Sequence, residues 1–464
     1  MNKHLLYLFT IIFASCNTVD KNSSNVYFAG EIVNPTNDYV VLYKDNIVVD
    51  SAKLDAKNRF SFEMNSITEG LHHFNHQPEL QYIYIEKGDS IMTRLNTMDF
   101  DESLVFSGQG SEINNFLLEL FLVQEKEERL MYKEVYRMEP NEFHDIVDSL
   151  RLLRLAELDE LDKEVLLSEN SREIAEASVN YTYYTYKERY PFQHGKYTDE
   201  KSMHFKLPDY FYDYRKNLSF NNKKLNYLRP YYDFMKSHFK NLSYHSCANN
   251  CDAHGEAVNN KLHFNRHKLR LIDSLAKEPE LKDNLYRNVA IDYLLMAHDS
   301  EVNNRSFIND FHKLSNSNRH SKEIDNLYES IQNLQPNKQL PNVKVYKNNT
   351  AEVLLEDISK RKKTVFYFWS GNNKRHFKKI TKRAKYLSVK KPEYNFVGIN
   401  LNTDEATWKE MIKSRGLDDT KQYRAIDSDK MRQELILNIP IKCIVTNENA
   451  VIVDAFSTLF NVSL

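Results

Sequence analysis

The run Thr364-Val-Phe-Tyr-Phe-Trp-Ser-Gly-Asn-Asn-Lys-Arg-His-Phe-Lys-Lys-Ile380 constrains this chain more than any other stretch. Val365–Trp369 is short, aromatic and β-branched, which predicts a central strand covered on both faces. Gly371 and Asn372-Asn373 interrupt it with turn chemistry. Phe377, Ile380, Ala384 and Leu387 then recur at helical spacing, so a helix is expected from about Asn373 to Ser388, ending before Pro392. A buried strand feeding a helix through a tight turn implies a layered α/β region.

The flanking sequence extends that pattern. Val343–Tyr346 and Val353–Ile358 predict a hairpin and a short helix start. Asn395–Asn400 predicts a second buried strand, and Asp404–Ser414 a helix holding Trp408. Asn438–Val445 and Ala450–Phe456 predict a final hairpin joined at Thr446–Asn449. The segment from Phe368-Trp369 through the turn resembles the active-site segment of the thioredoxin family, where Cys-x-x-Cys opens the helix. On that pattern Asn373 and His376 stand where the cysteines belong. Ile439-Pro440 is similar to the family's Ile-Pro, whose proline is cis and faces the active turn, and the resemblance implies the same of Pro440. Thiol–disulfide exchange needs a thiolate and a resolving thiol. Asn373 cannot ionise, and His376 cannot form a disulfide. These are degenerate active-site positions, and no catalytic residue is assigned. Cys443, in the strand beyond Pro440, is expected to pack as a small hydrophobe.

At 464 residues the chain should hold two or three domains. A hydrophobic content of 41% supports real cores. The formal charge of -2 gives no case for nucleic acid as a partner. Only 10 glycines accompany 29 tyrosines, and neither GxGxxG nor GxxxxGK[ST] occurs, so no nucleotide cofactor is expected.

The N-terminus reads as a secretory signal: Lys3 and His4, the apolar run Leu5–Phe13, then Ala14-Ser15. Phe13-Ala14-Ser15-Cys16 resembles a bacterial lipobox, which implies lipid attachment at Cys16. Each buried CH₂ of such acyl chains contributes about 0.8 kcal/mol to anchoring. Residues 1–16 are then signal peptide with lipobox cysteine, and 17–25 a polar tether. The expected location is the cell envelope, on the periplasmic side or at the outer membrane.

Residues 26–110 read as a β-sandwich or barrel. Val26–Val33, Tyr39–Tyr43, Ile47–Val49, Arg59–Glu63 and Gln81–Glu86 are separated by turn residues. The signals Gly30, Asp50-Ser51, Asn58–Phe62, Lys87–Ser90 and Phe106–Gly110 are similar to a β-domain that precedes thioredoxin domains in Bacteroidetes lipoproteins. His72, His73, His76 and Asp89 are expected at the surface. Residues 111–340 read as helical. Glu142–Val165 should turn Phe143, Ile146, Leu150, Leu153 and Leu161 inward, and Ile174–Tyr190 should stop at Pro191. Tyr181, Tyr183, Tyr184 and Tyr186 read as core tyrosines rather than a stacking platform. Further helices fit Pro208–Leu218, Tyr227–Lys240, Asn259–Ala276, Leu281–His298, Arg305–Leu314 and Ser321–Leu334. Gln335–Pro341 marks a boundary, and 341–464 is the thioredoxin-like region.

Two clusters remain. His245-Ser-Cys247 and Cys251-Asp-Ala-His254 hold two thiols one helical turn apart, with His263 and His267 downstream. A local disulfide between Cys247 and Cys251, packed thiols, and a weak metal site on Cys247, Cys251 and His254 are the competing readings. Lys374 to Lys391 carries a run of cations that could hold an anion but reads first as a solvated face. Together these features favour a membrane-anchored envelope lipoprotein of multidomain α+β class. Its thioredoxin-like region would lack redox activity and bind or scaffold an envelope protein or anionic ligand. The rivals are a thiol-disulfide oxidoreductase using Cys247 and Cys251, and a metal-binding envelope protein.

Overall fold

A computed structural model of the chain describes residues 25–197, 207–250, 260–296, 299–315, 317–437 and 441–464. The chain is of mixed α+β class and divides into two compact units. One runs to His245 and takes in Leu275–Leu281; the other holds Ser246–Ser274 and Lys282–Leu464.

The first unit begins with β1 (Val26–Val33), β2 (Tyr39–Lys44), β3 (Ile47–Lys53), β4 (Arg59–Met64), β5 (Gly70–His76), β6 (Glu79–Ile85) and β7 (Ser90–Asn96). A short α1 (Phe100–Ser103) and β8 (Val105–Gln109) follow. They form two four-stranded sheets, ordered β4-β1-β7-β8 and β3-β2-β5-β6. Alternation decides which side chains go in: Phe60, Phe62 and Met64 of β4 are buried while Arg59, Ser61 and Glu63 are exposed. Phe28, Ile91 and Phe106 of one sheet share a core with Leu42, Phe74 and Ile83 of the other.

The histidines of β5 depart from the expected surface placement. His72 and His76 are buried. His76 accepts from the Thr36 N–H at 3.0 Å through Nε2, and its Nδ1 lies 3.0 Å from the Tyr39 carbonyl. A histidine with both ring nitrogens engaged can sit in a core. Asp89 is buried too. Its carboxylate accepts from the Glu86 N–H at 2.7 Å and lies against Gly110, where an added Cβ would come within 2.5 Å of it. Gly110 also has φ +89, so backbone and packing both demand glycine there. Two sequence signals some twenty residues apart, Lys87-Gly88-Asp89 and Gly108-Gln-Gly110, thus meet at one corner.

Helix α2 (Ser111–Lys133) starts beside that corner. Its first turn closes an edge on each sheet. Asn114 Oδ1 accepts from the Tyr84 N–H at 2.7 Å and Nδ2 donates to the Tyr84 carbonyl at 2.9 Å. Asn115 does the same for Phe106 of β8, at 3.0 and 2.9 Å. Each side-chain amide stands in for a neighbouring strand's peptide. We expect Asn114→Ala to lower unfolding free energy by about 2–4 kcal/mol, since two backbone groups of a buried residue lose their partners. Urea denaturation of the purified chain checks this, and a change under 1 kcal/mol contradicts it.

Three long helices follow in this unit: α3 (Pro140–Val165), α4 (Glu169–Tyr197) and α5 (Arg229–Asn250), whose last residues pass beyond it. The buried stripe of α3 is Phe143, Val147 and Leu158; Leu153 is exposed, against expectation. Pro191 does not stop α4, which runs on to Tyr197. Packing holds it: the Tyr190 hydroxyl donates to the Met138 carbonyl at 2.7 Å, and His194 Nδ1 lies 3.0 Å from the Tyr136 carbonyl. Pro208–Leu218 is not an α-helix but turns and a 3₁₀ segment, Asp213–Asn217. Its Tyr214 and Arg215 side chains turn toward Glu188 of α4.

The second unit contains α6 (Lys261–Leu275) up to Ser274, α7 (Pro279–Met296) from Lys282, α8 (Glu301–Leu314) and α9 (Ser321–Asn333). A seven-stranded sheet follows, ordered β10-β9-β13-β12-β11-β14-β15. Its strands are β9 (Lys344–Tyr346), β10 (Glu352–Leu354), β11 (Thr364–Ser370), β12 (Asn395–Leu401), β13 (Gln422–Ala425), β14 (Cys443–Thr446) and β15 (Ile452–Asp454). β11, β12 and β13 are parallel; β14 and β15 run antiparallel at one side. α10 (Leu355–Ser359), α11 (Lys374–Lys390), α12 (Glu405–Ser414) and α13 (Ser428–Glu434) connect them. Strand–helix units closed by a hairpin are the layer order the thioredoxin resemblance implies. Among the described residues no helix is long and apolar enough to cross a membrane.

Candidate functional site

β11 ends where a site would be built. Residues Thr364–Trp369 are all buried, and Trp369 packs against Phe377 of α11 with ring centroids 4.4 Å apart. Beneath the turn, Trp369 Nε1 donates to Gln422 Oε1 at 3.3 Å and Gln422 Nε2 donates to the Tyr367 hydroxyl at 3.0 Å. Burial pushes the Tyr367 phenol up to about 12, so it stays neutral. Gly398 makes room for this group, since a Cβ there would meet Gln422 Oε1 at 2.2 Å. The turn itself is pinned by the Gly371 N–H, which donates to Thr403 Oγ1 at 2.8 Å.

Asn373 is the N-cap of α11, and its Oδ1 accepts from the His376 N–H at 2.8 Å. The two positions that the resemblance assigns to cysteines are therefore joined by a capping bond. A cap of this kind is worth roughly 1 kcal/mol. Asn373 is exposed and His376 half-buried. An amide held as a hydrogen-bond acceptor has no nucleophilic chemistry to offer. Pro440 lies outside the described residues.

Cys443 sits in β14, fully buried in the core with Val365 and Val445. Burial pushes its thiol up to about 12, far from a reactive thiolate. Cys247 is buried in α5. Cys16, Cys251 and His254 lie outside the described residues. His267 Nε2 lies 2.7 Å from the Ser246 hydroxyl, and the His263 and His267 rings stack at 6.5 Å.

The cations of α11 are more distinctive than their spacing suggested. Lys374, Arg375, Lys378, Lys379, Lys382, Lys385 and Lys390 are exposed, and none of them forms an ion pair with a carboxylate among the described residues. Arg383 instead donates to the Leu459 carbonyl at 3.1 Å, tying the chain end to the helix. The buried stripe Phe377, Ile380, Thr381, Ala384 and Leu387 leaves the rest of this helix as a cationic surface.

Sequence reasoning missed a charged centre in the first unit. Glu188 of α4 is wholly buried, and its Oε1 accepts from Tyr214 at 2.8 Å, Arg215 Nε at 2.9 Å and His238 Nδ1 at 2.7 Å. A second Arg215 nitrogen bonds Oε2. The only signal in the chain was the triplet Lys187-Glu188-Arg189 set among tyrosines at core spacing.

No family model matches the chain, and no curated protein matches it. Solved structures match part of it. A thioredoxin-like protein from Bacteroides caccae is similar over 48% of this chain and 90% of its own, with 12% identity and a TM-score of 0.33. A thiol:disulfide interchange protein from Bacteroides sp. is similar over 26% of this chain and 80% of its own, with 19% identity and a TM-score of 0.23. A secreted disulfide oxidoreductase from Mycobacterium tuberculosis is similar over 24% and 80%, with 12% identity and a TM-score of 0.21.

Proposed function

We propose that this chain is a lipid-anchored envelope protein whose thioredoxin-like region binds or scaffolds and does not exchange disulfides. One observation carries the reading: Asn373 and His376 hold each other in a helix cap where exchange would need two sulfurs. The depressed reactivity of the buried Cys443 thiol and the burial of Cys247 support it, because an exchange thiol must be ionisable and accessible. The exposed cations of α11, which have no carboxylate partner among the described residues, favour an anionic ligand or the acidic face of an envelope protein as what is bound. The lipobox resemblance at Cys16 supplies the anchor.

Insulin reduction by the purified chain in the presence of dithiothreitol is the direct test. Turnover is expected at the uncatalysed rate, unchanged in Cys247→Ser. Catalysed turnover that disappears in Cys247→Ser overturns the reading in favour of an oxidoreductase. Labelled palmitate should enter the chain in cells and be lost in Cys16→Ser; retention of label in that variant removes the anchor.

A further inference from the structure

The β6 edge of the second four-stranded sheet is only half closed. Tyr84 sends its N–H and carbonyl outward to Asn114. In an antiparallel pair the outward-facing backbone groups recur at every second residue. Tyr82 and Leu80 therefore face the same side, where Gln81 Nε2 donates to the Tyr82 carbonyl at 3.0 Å, a side-chain bond that an incoming strand would replace, while Ile83 and Gln81 pair with His72 and Phe74 of β5. Along that open side runs a groove of about 410 Å³, floored by Leu71, Leu117 and Leu120 and walled by α2, α4 and the start of α5. Leu80 and Phe121 stay 44% and 42% exposed at its mouth, so apolar surface faces solvent there. Gln124 also lines it; its Nε2 is buried with no hydrogen-bond partner among the described residues, although its Oε1 accepts from Thr182. A buried donor left open asks for an acceptor. β3, at the opposite edge of the sheet, is instead broken by a bulge facing Leu42 and Tyr43.

We propose that this edge takes an extended peptide segment bearing basic side chains, which adds as a strand beside β6 and buries an apolar side chain in the groove. Asn114 already places one amide in the position that the incoming backbone would continue. The charge follows from the rim. Glu128 is paired with Arg189 at 3.2 Å, Glu125 with Arg129 at 3.0 Å, and Asp233 with Arg229 at 3.6 Å and Lys236 at 2.6 Å, so the rim cations are matched, whereas Glu79, at the start of the open edge, has no ion pair among the described residues. Strand addition takes affinity from main-chain bonds and specificity from alternate side chains. The inference concerns the first unit and stands apart from the reading of the Asn373 turn.

The probe is a capped, fluorescein-labelled hexapeptide of alternating lysine and valine, titrated against the full chain by fluorescence polarisation. Saturable binding is expected, weakened about tenfold or more when every peptide nitrogen is methylated, and likewise in Tyr82→Pro. Circular dichroism establishes that the variant is folded; if it is not, Leu80→Pro replaces it, and the methylated peptide needs no variant. A glutamate–valine analogue should bind more weakly. Absence of binding at millimolar peptide, binding indifferent to methylation, or equal binding of the acidic analogue each overturns the proposal.

Discussion

Arg215→Met will lower the unfolding free energy by about 3–5 kcal/mol, the range for stripping one partner from a buried ion pair. Glu188 has no solvent to turn to, and Arg215 supplies two of its hydrogen bonds and the opposing charge. The guanidinium also lies 3.6 Å over the Tyr212 ring, a contact methionine keeps only in part. Burial alone would push the Glu188 carboxyl up; the His238 and Arg215 contacts outweigh it and hold the group down at about 2. A carboxyl whose folded value lies below its ordinary one stabilises above pH 4.5, and loses that contribution as pH falls toward 2. Without the guanidinium, burial is opposed less and the folded value rises, so Arg215→Met should be less stable at neutral pH yet lose less stability than wild type as pH falls. Urea titrations at pH 7 and pH 4 measure both. Adding Glu188→Gln to Arg215→Met should recover part of the loss, because the uncompensated charge is then gone. A loss below 1 kcal/mol in the single variant would mean that solvent reaches this carboxylate.

The second large effect is a rise of stability with pH that depends on Lys442. This side chain is buried beside β14, and its Nζ donates to the carbonyls of Leu435 and Ile436 at 2.7 and 3.1 Å, with the Phe456 ring at 5.3 Å. No carboxylate contacts it among the described residues, and burial pushes the ammonium down to about 7, against the weaker pull of Cys443 and Asp454. Unfolded, the group titrates near 10.5. Between those values the unfolded chain holds a proton that the folded chain has released, so stability climbs with pH across that window. From pH 7 to 10 the wild-type chain should gain about 3 kcal/mol more than Lys442→Met, which cannot titrate. Chemical denaturation of both chains at the two pH values gives the difference. Parallel curves would show that the ammonium is solvated. The amine also holds the carbonyl of Ile436, a β-branched residue at φ +51 that the turn keeps in a strained conformation.

What was legible in the sequence was carried by burial on both faces. β11 has an unbroken apolar run, and α11 a clean 3.6-residue stripe, so both were placed to within two residues. β13 and α13 were not seen, because Gln422-Tyr-Arg-Ala425 carries neither alternation nor an apolar run and is specified by its neighbours β12 and β9. Pro191 and Pro208–Leu218 misled in opposite directions. Local propensity gave a stop where packing sustains a helix, and a helix where Tyr214 and Arg215 are drawn to Glu188. The buried His76 was misplaced because its partners, Thr36 and Tyr39, lie about 40 residues away, whereas His72 has only the nearby Gly70 carbonyl among the described residues and is buried with Phe74 on one face of β5. At the turn, the absence of cysteine was plain from residue identity; the cap that Asn373 forms needed coordinates.

The adjacent asparagines at the head of α2 have a mechanical consequence. One helical turn is riveted to both layers of the β-structure, so the sheets cannot slide, splay or open without that turn melting, and the turn cannot melt without baring both margins at once. The junction near residue 110, where composition changes from strand-like to helix-like, is for that reason a joint that transmits force rather than a hinge.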